Sequence, residues 1–408
     1  MLHHDATHSG VSADTATGAA AATVGLSLKW KTVVGSKIES SPAVVYNATL
    51  GETLVYVQTW TNRLVALNAA TGSIVWSYTE PGGKGADSSP AVYDNTVYIG
   101  ATFAHTLWAL NATTGAPECH YHVSGRIVAS PVVADLGSGP DVFFGDTGLS
   151  ESNNYGSEWA ITGVGNPLGA CKLIWSFKGW GDTNNRSYPG SWSPPALGHD
   201  TNQRPILVLG SSQPDSSIYA LDARTGSEIW RYQTATFGDL DVGAGPTITA
   251  PGVNGFEDGE VYIPGKNQVM YALDLMTGTV NWQVRMSKLI HVYVNSVSTP
   301  AVVGNTVYVA YGYGVWSFNA TTGSVNWYSG STSPVGGMIL SSPAISGASG
   351  DQVVYSNDTT GVITAYNASS GVTLWHYAIP QPFYSSDAVS DGMVFTGGMD
   401  GSVYAFEP

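Results

Sequence analysis

The segment Leu64-Val-Ala-Leu-Asn-Ala-Ala-Thr-Gly-Ser-Ile-Val-Trp76 decides the fold, because close copies of it return along the whole chain. Each copy has an alternating apolar run, a turn at Asn or Asp before Thr-Gly or a variant of it, and a second alternating run that closes on a Trp. Asn or Asp shortly before Gly is typical of a β-hairpin, since Gly supplies the positive φ that such turns need. The further copies occupy residues 107–119, 158–175 (degenerate), 218–230, 270–282, 315–327 and 363–375.

A second phrase, Ser-Pro-Ala or a relative of it, precedes each copy of the first and is followed by one more strand. It begins at residues 41, 89, 130, 194, 245, 299 and 342. Four short strands in a unit of 43 to 56 residues are the pattern of one propeller blade.

The two ends of the chain supply a mixed last blade. Only 33 residues follow Trp375, enough for three strands, and the missing strand with its Trp is Leu28-Lys-Trp30. We therefore predict an all-β, eight-bladed propeller with four antiparallel strands per blade, closed by the N-terminal strand. The expected single domain comprises an N-terminal coil (1–25), the closing strand (26–34), blades 1–7 (35–384) and the rest of blade 8 (385–408).

The composition excludes several classes of protein. The chain has 15 Lys and Arg against 30 Asp and Glu, a net charge of −15, which argues against nucleic-acid binding because that needs basic stripes. No apolar run approaches the ~18 residues of a membrane helix, so we expect no transmembrane segment. The opening Met1-Leu2-His3 is no signal peptide, so we expect any export signal to have been removed or never present.

The repeated Ala-x-Asp/Asn-x-x-Thr-Gly-x-x-x-Trp pattern resembles the tryptophan-docking motif of pyrroloquinoline quinone (PQQ) dehydrogenase propellers. The resemblance covers essentially the whole chain, and residues 4–10 (His-Asp-Ala-Thr-His-Ser-Gly) resemble the opening segment of smaller members. The same repeats also build non-catalytic propellers, such as an outer-membrane assembly lipoprotein. The motif therefore specifies the fold more than the activity.

The resemblance implies a quinone at the mouth of the propeller channel, a Ca²⁺ ion that bridges it to protein oxygens, and an Asp as general base. By position in the blades, Glu151 and Gln213 resemble metal ligands. Asp215 resembles the base and is a third expected ligand. Gln stands where the family places Asn, a departure that would displace the metal.

The resemblance also implies residues that touch the quinone. Trp192 resembles its aromatic floor, and Lys266 and Asn267 resemble the pair at its oxygens. Arg126 is the expected substitute for an Arg that holds a quinone carboxylate, since Ser88-Ser89 stands at the family's position. The adjacent Cys-Cys pair of many members is absent, and no Cys-x-x-Cys-His haem motif occurs, so electrons would leave to a separate acceptor.

Each of these residues also has a purely structural interpretation. Asp215 follows Pro in a Ser-rich loop, where Asp is a common turn former. Glu151 fits a solvated loop, Trp192 fits packing between blades, and Lys266 fits an exposed loop tip.

The two cysteines stand at motif positions. Cys119 replaces the docking Trp of blade 2, and Cys171 occupies the Gly position of blade 3. Because the Trp of one repeat stacks on the Gly peptide of the next in this family, the resemblance implies a Cys119–Cys171 disulfide. A disulfide implies an oxidising compartment, and hence an extracellular or periplasmic location.

Two main hypotheses for the function follow. The first is a PQQ- and Ca²⁺-dependent alcohol dehydrogenase that oxidises a small or polymeric alcohol in the central funnel and reduces an external acceptor. The alternative is a non-enzymatic extracellular propeller that offers a rigid face to a protein or glycan partner at the cell surface. A third hypothesis is a propeller that performs a different reaction in the same funnel.

Overall fold

The computed structural model describes residues 5–12, 14, 25–82, 85, 87–148, 156–178, 190–212, 215–234, 241–290, 298–330, 337–347 and 351–408. Within these ranges, 32 strands form eight four-stranded antiparallel sheets. One short helix, α1 (Met286–Ile290), and one 3₁₀ turn (Val253–Gly255) accompany them.

The first four blades run in chain order from the inner to the outer strand. Blade 1 contains β2 (Ala43–Asn47), β3 (Glu52–Thr59), β4 (Arg63–Asn68) and β5 (Ile74–Thr79). Blade 2 contains β6 (Ala91–Tyr93), β7 (Thr96–Ala101), β8 (Thr106–Asn111) and β9 (Pro117–His122). Blade 3 contains β10 (Val132–Asp135), β11 (Pro140–Gly145), β12 (Glu158–Thr162) and β13 (Leu173–Phe177). Blade 4 contains β14 (Ala196–His199), β15 (Pro205–Gly210), β16 (Ser217–Asp222) and β17 (Glu228–Gln233).

The next three blades repeat this order, and the last is mixed. Blade 5 contains β18 (Thr247–Ile248), β19 (Glu260–Pro264), β20 (Val269–Asp274) and β21 (Val280–Arg285). Blade 6 contains β22 (Ala301–Val303), β23 (Thr306–Tyr311), β24 (Gly314–Asn319) and β25 (Val325–Gly330). Blade 7 contains β26 (Ala344–Ser346), β27 (Val353–Asn357), β28 (Val362–Asn367) and β29 (Thr373–Ala378). Blade 8 contains β30 (Ala388–Ser390), β31 (Met393–Gly397), β32 (Ser402–Glu407) and β1 (Ser27–Val33).

The ring closes where the two ends of the chain pair. β1 lies antiparallel to β32, with Ser27 opposite Glu407 and Val33 opposite Ser402. The predicted eight-bladed all-β propeller, closed by its N-terminal strand, is therefore confirmed. The residue limits that we assigned to the coil and the blades remain a prediction.

The Trp of the repeated segment joins each blade to the next. The indole N–H of Trp30 donates to the carbonyl of Ala69 at 2.9 Å, and a Cβ on Gly72 would fall 2.6 Å from the same ring. A side chain at this glycine would therefore collide with the docked indole, and its φ of 72° is one that glycine adopts without strain. The same Trp-to-carbonyl bond joins further blades through Trp76, Trp175, Trp230, Trp282 and Trp327.

A disulfide replaces this contact between blades 2 and 3. Cys119 and Cys171 are bonded across a sequence separation of 52 residues, as predicted. Cys171 keeps the positive φ, 54°, of the glycine whose position it takes. Closure of a loop of this length is worth about 4 kcal/mol in the chain-entropy account.

The Ser-Pro-Ala phrases form a second set of joints around the channel, which we call the hydroxyl belt. The backbone N–H of Ser41 donates to Ser89 Oγ at 2.9 Å, and that of Ser89 donates to Ser130 Oγ at 2.8 Å. The N–H of Ser386 donates in turn to Ser41 Oγ at 3.1 Å, across the closure of the ring. The same bond links Gly245 to Thr299, Thr299 to Ser342 and Ser342 to Ser386.

Residues 5–12, which we call the strap, run across the inner strands of blades 4 to 7. The carbonyls of Ala6, Thr7, Ser9 and Gly10 accept the N–H groups of Leu197, Ile248, Val302 and Ile345. The strap therefore occupies one side of the central channel. In the described part of the chain, no helix has the length and apolar character needed to cross a membrane.

Candidate functional site

The loops before the inner strands and the loops between the second and third strands lie at the same end of each blade, because the strands are antiparallel. Backbone bonds tie these loops together in blades 3 to 5. Ser212 N–H donates to the Gly190 carbonyl at 3.2 Å, and Val242 N–H donates to the Ser211 carbonyl at 3.0 Å. Most of the predicted site residues that the structure describes lie in this group of loops, which we call the mouth.

Lys266, Asp241 and Trp192 form one cluster at the mouth. Lys266 Nζ lies 2.6 Å from Asp241 Oδ2 and 4.7 Å from the centre of a Trp192 ring. The two charged side chains are 14% and 11% exposed, so the ion pair is largely shielded from water. A Cβ on Gly243 would fall 2.4 Å from the Trp192 ring, so glycine allows the indole to sit directly on this backbone. The structure thus brings together the predicted aromatic floor and the predicted cation.

Asn267 holds the turn that carries Lys266. Its amide donates to the Tyr271 hydroxyl at 2.6 Å and to the Thr234 carbonyl at 3.2 Å, and its oxygen accepts the N–H of Val269. Burial raises the pKa of Tyr271 to about 12, against a lowering by the Asn267 bond. These bonds position the turn, and contact between Asn267 and a quinone stays a prediction.

Asp215 lies in a network of four side chains. Its Oδ2 accepts the hydroxyls of Ser211 at 2.6 Å and Tyr219 at 2.5 Å, and its Oδ1 accepts Ser217 at 3.1 Å and pairs with Arg231 at 2.9 Å. Burial, followed by the charge of Asp215, raises the pKa of Tyr219 well above its usual value. The carboxylate therefore already has a donor on both oxygens.

Blade 8 repeats the Asp215 network at equivalent positions. Asp400 Oδ2 accepts the hydroxyls of Ser402 at 3.1 Å and Tyr404 at 2.7 Å, and it pairs with Lys31 at 2.8 Å. Lys31 lies opposite Tyr404 on the outer strand, as Arg231 lies opposite Tyr219 in blade 4. Blades 4 and 8 thus share an Asp-x-Ser-x-Tyr network that stabilises the blade. This structural role holds whether or not Asp215 also acts as a base.

Arg126 contributes to the mouth at the junction of blades 2 and 3. Its guanidinium lies 4.7 Å from the centre of the Phe103 ring, and its backbone pairs with Thr147 through two bonds of 2.9 Å. Thr147 forms a further bridge to Gly190, two residues before Trp192. The described contacts of Arg126 are with Phe103 and Thr147, and a role in quinone binding stays a prediction.

The two other predicted metal ligands, Glu151 and Gln213, lie outside the described residues. Among those that are described, no three His, Cys, Asp or Glu side chains come together as a metal site. The geometry of the ligand set that the sequence predicts is therefore untested.

Two residues of this region were not among the predicted site residues. Asp241 lies outside the repeated phrases, so the repeat does not point to it. Glu158 begins the degenerate repeat, where it takes the position of Leu64, which is apolar in the other six copies. A charged residue at an otherwise apolar position of the repeat is the sequence signal that identifies Glu158.

Glu158 is fully buried beside the mouth. Neither of its carboxylate oxygens has a hydrogen-bond partner in the described structure. A Cβ on Gly145 would lie 2.9 Å from Glu158 Oε2 and 2.8 Å from the Ser191 carbonyl, so the carboxylate lies behind the loop that carries Trp192. Burial, followed by the charge of Asp146, raises the pKa of Glu158 well above its usual value. Unpartnered hard oxygen atoms of this kind fit a cation such as Ca²⁺.

Comparison with protein families and curated proteins places the chain among PQQ-repeat propellers. A family model described as outer membrane protein assembly factor BamB matches residues 11–154 and 214–407. The chain is 34% identical over 107 residues to the quinoprotein glucose dehydrogenase of Escherichia coli K12, covering 22% of this chain and 13% of that protein. It is 26% identical over 270 residues to the tetrathionate hydrolase of Acidithiobacillus ferrooxidans, covering 64% and 48%. The chain thus spans less than half the length of either relative.

Solved structures share the fold at low sequence identity. A europium-containing methanol dehydrogenase superposes with a TM-score of 0.79 at 14% identity, covering 100% of this chain and 97% of that one. The quinohemoprotein alcohol dehydrogenase of Comamonas testosteroni gives 0.74 at 17%, covering 99% and 79%. BamB of Moraxella catarrhalis gives 0.67 at 15%, covering 94% and 100%. The similar propellers thus include dehydrogenases and an assembly factor.

Proposed function

The chain belongs to the PQQ-repeat family described as outer membrane protein assembly factor BamB, and from this membership we propose that it is a secreted or periplasmic quinoprotein. Its mouth would bind PQQ and Ca²⁺, and it would oxidise the hydroxyl group of a small or polymeric alcohol. Similarity to quinoprotein glucose dehydrogenase and to the fold of two alcohol-oxidising enzymes supports this proposal.

The cluster of Trp192, Lys266 and Asp241 carries the proposal. A flat tricyclic quinone needs an aromatic surface to lie on, and the Trp192 indole supplies one at the mouth. Lys266 Nζ, 4.7 Å from that ring, would donate a hydrogen bond to an oxygen of a quinone bound there. Asp241, at 2.6 Å, holds the ammonium group in this position.

The metal would be held by oxygen atoms at the same end of blades 3 and 4. Glu151, Gln213 and Asp215 are the ligands that the sequence predicts, and the unpartnered carboxylate of Glu158 would add a hard donor near the mouth. Bound together, PQQ and Ca²⁺ would supply a hydride acceptor and a Lewis acid. Arg126 and Asn267 would complete the contacts to the quinone.

Asp215 would take the proton of the substrate hydroxyl. Because Ser211 and Tyr219 already donate to its Oδ2, the substrate would have to displace one of these hydroxyls to reach the carboxylate. Arg231, at 2.9 Å from Oδ1, would keep the carboxylate oriented during that exchange. An external acceptor would then remove the electrons.

The direct test is a titration of the purified protein with PQQ in the presence of Ca²⁺, followed by quinone absorbance. Lys266→Gln should weaken PQQ binding at least tenfold, because it removes the cation beside Trp192. Lys37→Gln is the matched control, since Lys37 lies 3.5 Å from the Trp60 ring centre and pairs with Glu39 at 2.6 Å. Absence of saturable PQQ binding by the wild type, or equal loss in both variants, would overturn the proposal.

A second candidate function is a non-enzymatic scaffold that holds a protein or glycan partner at the cell surface. The observation that favours it is the duplicate of the Asp215 network at Asp400, because a purely structural Asp needs no substrate. Wild-type protein that remains folded with Ca²⁺ and PQQ but reduces no dye with any alcohol would support the scaffold. Dye reduction that depends on PQQ would exclude it as the sole function.

A further inference from the structure

The repeat departs from its own pattern at Asp387. The residue after the belt hydroxyl or its equivalent is Pro in seven blades and Asp only in blade 8. The prolines are Pro42, Pro90, Pro131, Pro195, Pro246, Pro300 and Pro343. Seven inner strands therefore form without a carboxylate at this place, so the fold itself does not require one in blade 8.

Asp387 is buried and only half satisfied. It is 6% exposed, and its Oδ1 accepts the amide of Asn357 at 2.8 Å. The same amide also donates to the Ser385 carbonyl at 2.8 Å and to Thr396 Oγ1 at 3.1 Å, which fixes its orientation. Asp387 Oδ2 has no hydrogen-bond partner in the described structure. A buried ionised oxygen in this state is unfavourable, so the site favours a ligand that supplies a donor.

A cavity of about 160 Å³ lies against Asp387 in the central channel. The strap, through Gly10 and Ser12, forms one wall, and the inner strands of blades 7, 8, 1 and 2 form the rest. Apolar side chains dominate the strand walls, and the belt hydroxyls of Ser41 and Ser386 reach the same space. An engineered cavity of about this size holds benzene, so a small organic molecule fits.

The lining defines the chemistry of a ligand. Asp387 is the one charged side chain among the lining residues, and no Lys, Arg or His lies among them. A carboxylate oxygen without a hydrogen-bond donor repels an anionic ligand. It favours a ligand whose polar group carries several N–H donors. A bare metal ion would make no use of the walls formed by Val44, Val92 and Val389. A short hydrocarbon chain with an ammonium head meets both requirements, and the net charge of −15 attracts it.

We propose that this cavity binds a small organic ammonium ion, of about the size of propylammonium. Its N–H groups bond to Asp387 Oδ2 and the belt hydroxyls, while its alkyl chain contacts the valine walls. Asn357 acts as a positioning residue. Its amide donates to Asp387 Oδ1 and so holds the carboxylate with Oδ2 left for the ligand.

The test measures binding of propylammonium chloride to the whole chain by calorimetry and by the shift of its thermal unfolding. Potassium chloride controls for ionic strength, and 1-propanol controls for the alkyl chain without the charge. We expect saturable binding of propylammonium, with 1-propanol at least tenfold weaker and no saturable effect of potassium. Absence of saturable binding, or equal affinity for 1-propanol, would overturn the proposal.

Three variants locate the site. Asp387→Asn should weaken propylammonium binding at least tenfold, and Ala388→Leu should do so by filling the cavity while Asp387 remains in place. Asp141→Asn is the matched control, since Asp141 is also buried and accepts an amide, that of Asn166, at 3.2 Å, but it lies on β11 outside the cavity. If Asp387→Asn fails to fold, the propylammonium affinity of Ala388→Leu tests the assignment of the site. Wild-type affinity in Ala388→Leu, or an equal loss in Asp141→Asn, contradicts the assignment.

Discussion

At the scale of single residues, Asp215 and Asp400 are an internal comparison that the repeat provides. Both carboxylates accept a Ser and a Tyr hydroxyl two and four residues later, and both pair with a cation on the outer strand. If substitution of Asp215 changes activity more than substitution of Asp400, the difference is therefore due to the position of Asp215 at the mouth. The hydrogen-bond network itself is common to both residues.

We expect Asp215→Asn and Asp400→Asn to lower the free energy of unfolding by similar amounts, about 1–3 kcal/mol, because each weakens an ion pair and at least two charge-assisted hydrogen bonds. Denaturant titration checks this. With PQQ and Ca²⁺ bound, only Asp215→Asn should abolish alcohol oxidation while the quinone stays bound. Full turnover in Asp215→Asn would remove that residue from the proton transfer.

Glu158 provides a second prediction. Glu158→Leu should raise the free energy of unfolding by about 1–3 kcal/mol at pH 7 without added Ca²⁺, because it replaces an unpartnered buried carboxylate by the apolar type that the other copies carry. Glu260→Leu is the contrast, because Glu260 Oε2 accepts the amide of Asn281 at 2.8 Å, and its loss should destabilise. Thermal unfolding in Ca²⁺-free buffer measures both. A lower unfolding temperature for Glu158→Leu would show that Glu158 has a partner in solution.

At the scale of elements, neighbouring blades are joined by three kinds of bond at fixed places. Docked Trp side chains join the outer parts, the hydroxyl belt joins the inner strands, and one disulfide replaces a docked Trp. The docked Trp side chains and the belt hydroxyls each come from a position that recurs in the repeat. The interface between blades 2 and 3 is the one where the disulfide stands in place of a docked Trp.

The disulfide should matter for stability because no indole bridges that interface. Replacing both Cys119 and Cys171 by Ser should lower the free energy of unfolding by about 2–4 kcal/mol. The double variant Cys119→Trp with Cys171→Gly restores the residues of the other interfaces and should recover a large part of the loss. Thermal unfolding under non-reducing conditions compares the two variants. Equal stability of the Ser variant and the wild type would contradict the prediction.

The repeated phrases allowed the eight blades to be predicted from the sequence, because each phrase carries the hydrogen bonds that build the same interface. Trp192 and Lys266 were identified by resemblance, and they do meet. The strap was not predicted, since it is held through backbone carbonyls that leave no pattern in the side chains. Glu158 and Asp387 were not among the predicted site residues because they are departures from the repeat, and a search for matches to a motif passes over departures.

At the scale of the whole molecule, more of the described buried carboxyl groups have a raised pKa than a lowered one. Burial is the largest cause of the rise in each of the raised groups. The pKa is raised to about 8 in Glu80 and Glu260, about 7 in Asp87 and Asp387, about 6 in Asp141 and Asp146, and well above its usual value in Glu158. Burial also raises the pKa of Asp222 and Asp400, but several hydrogen bonds and charges together, led by those of Arg204 and Lys31, lower it below its usual value.

From this balance we expect the protein to be more stable in mild acid than at neutral pH. Between about pH 4 and 8 the native state binds more protons than the unfolded chain, so the free energy of unfolding falls as the pH rises. We expect the unfolding temperature at pH 4.5 to exceed that at pH 7.5 by on the order of 5 °C. Scans in buffers of equal ionic strength test this. A maximum of stability at or above pH 7.5 would contradict it.

The pairing of Ser27–Val33 with Ser402–Glu407 sets an order of events during synthesis. Ser27 and its partner Glu407 are 380 residues apart in the sequence. Seven blades are synthesised between these two strands, so β1 has an unpaired edge until β32 has been made. A chain that stops before Ser402 therefore leaves an open ring whose first strand has no partner.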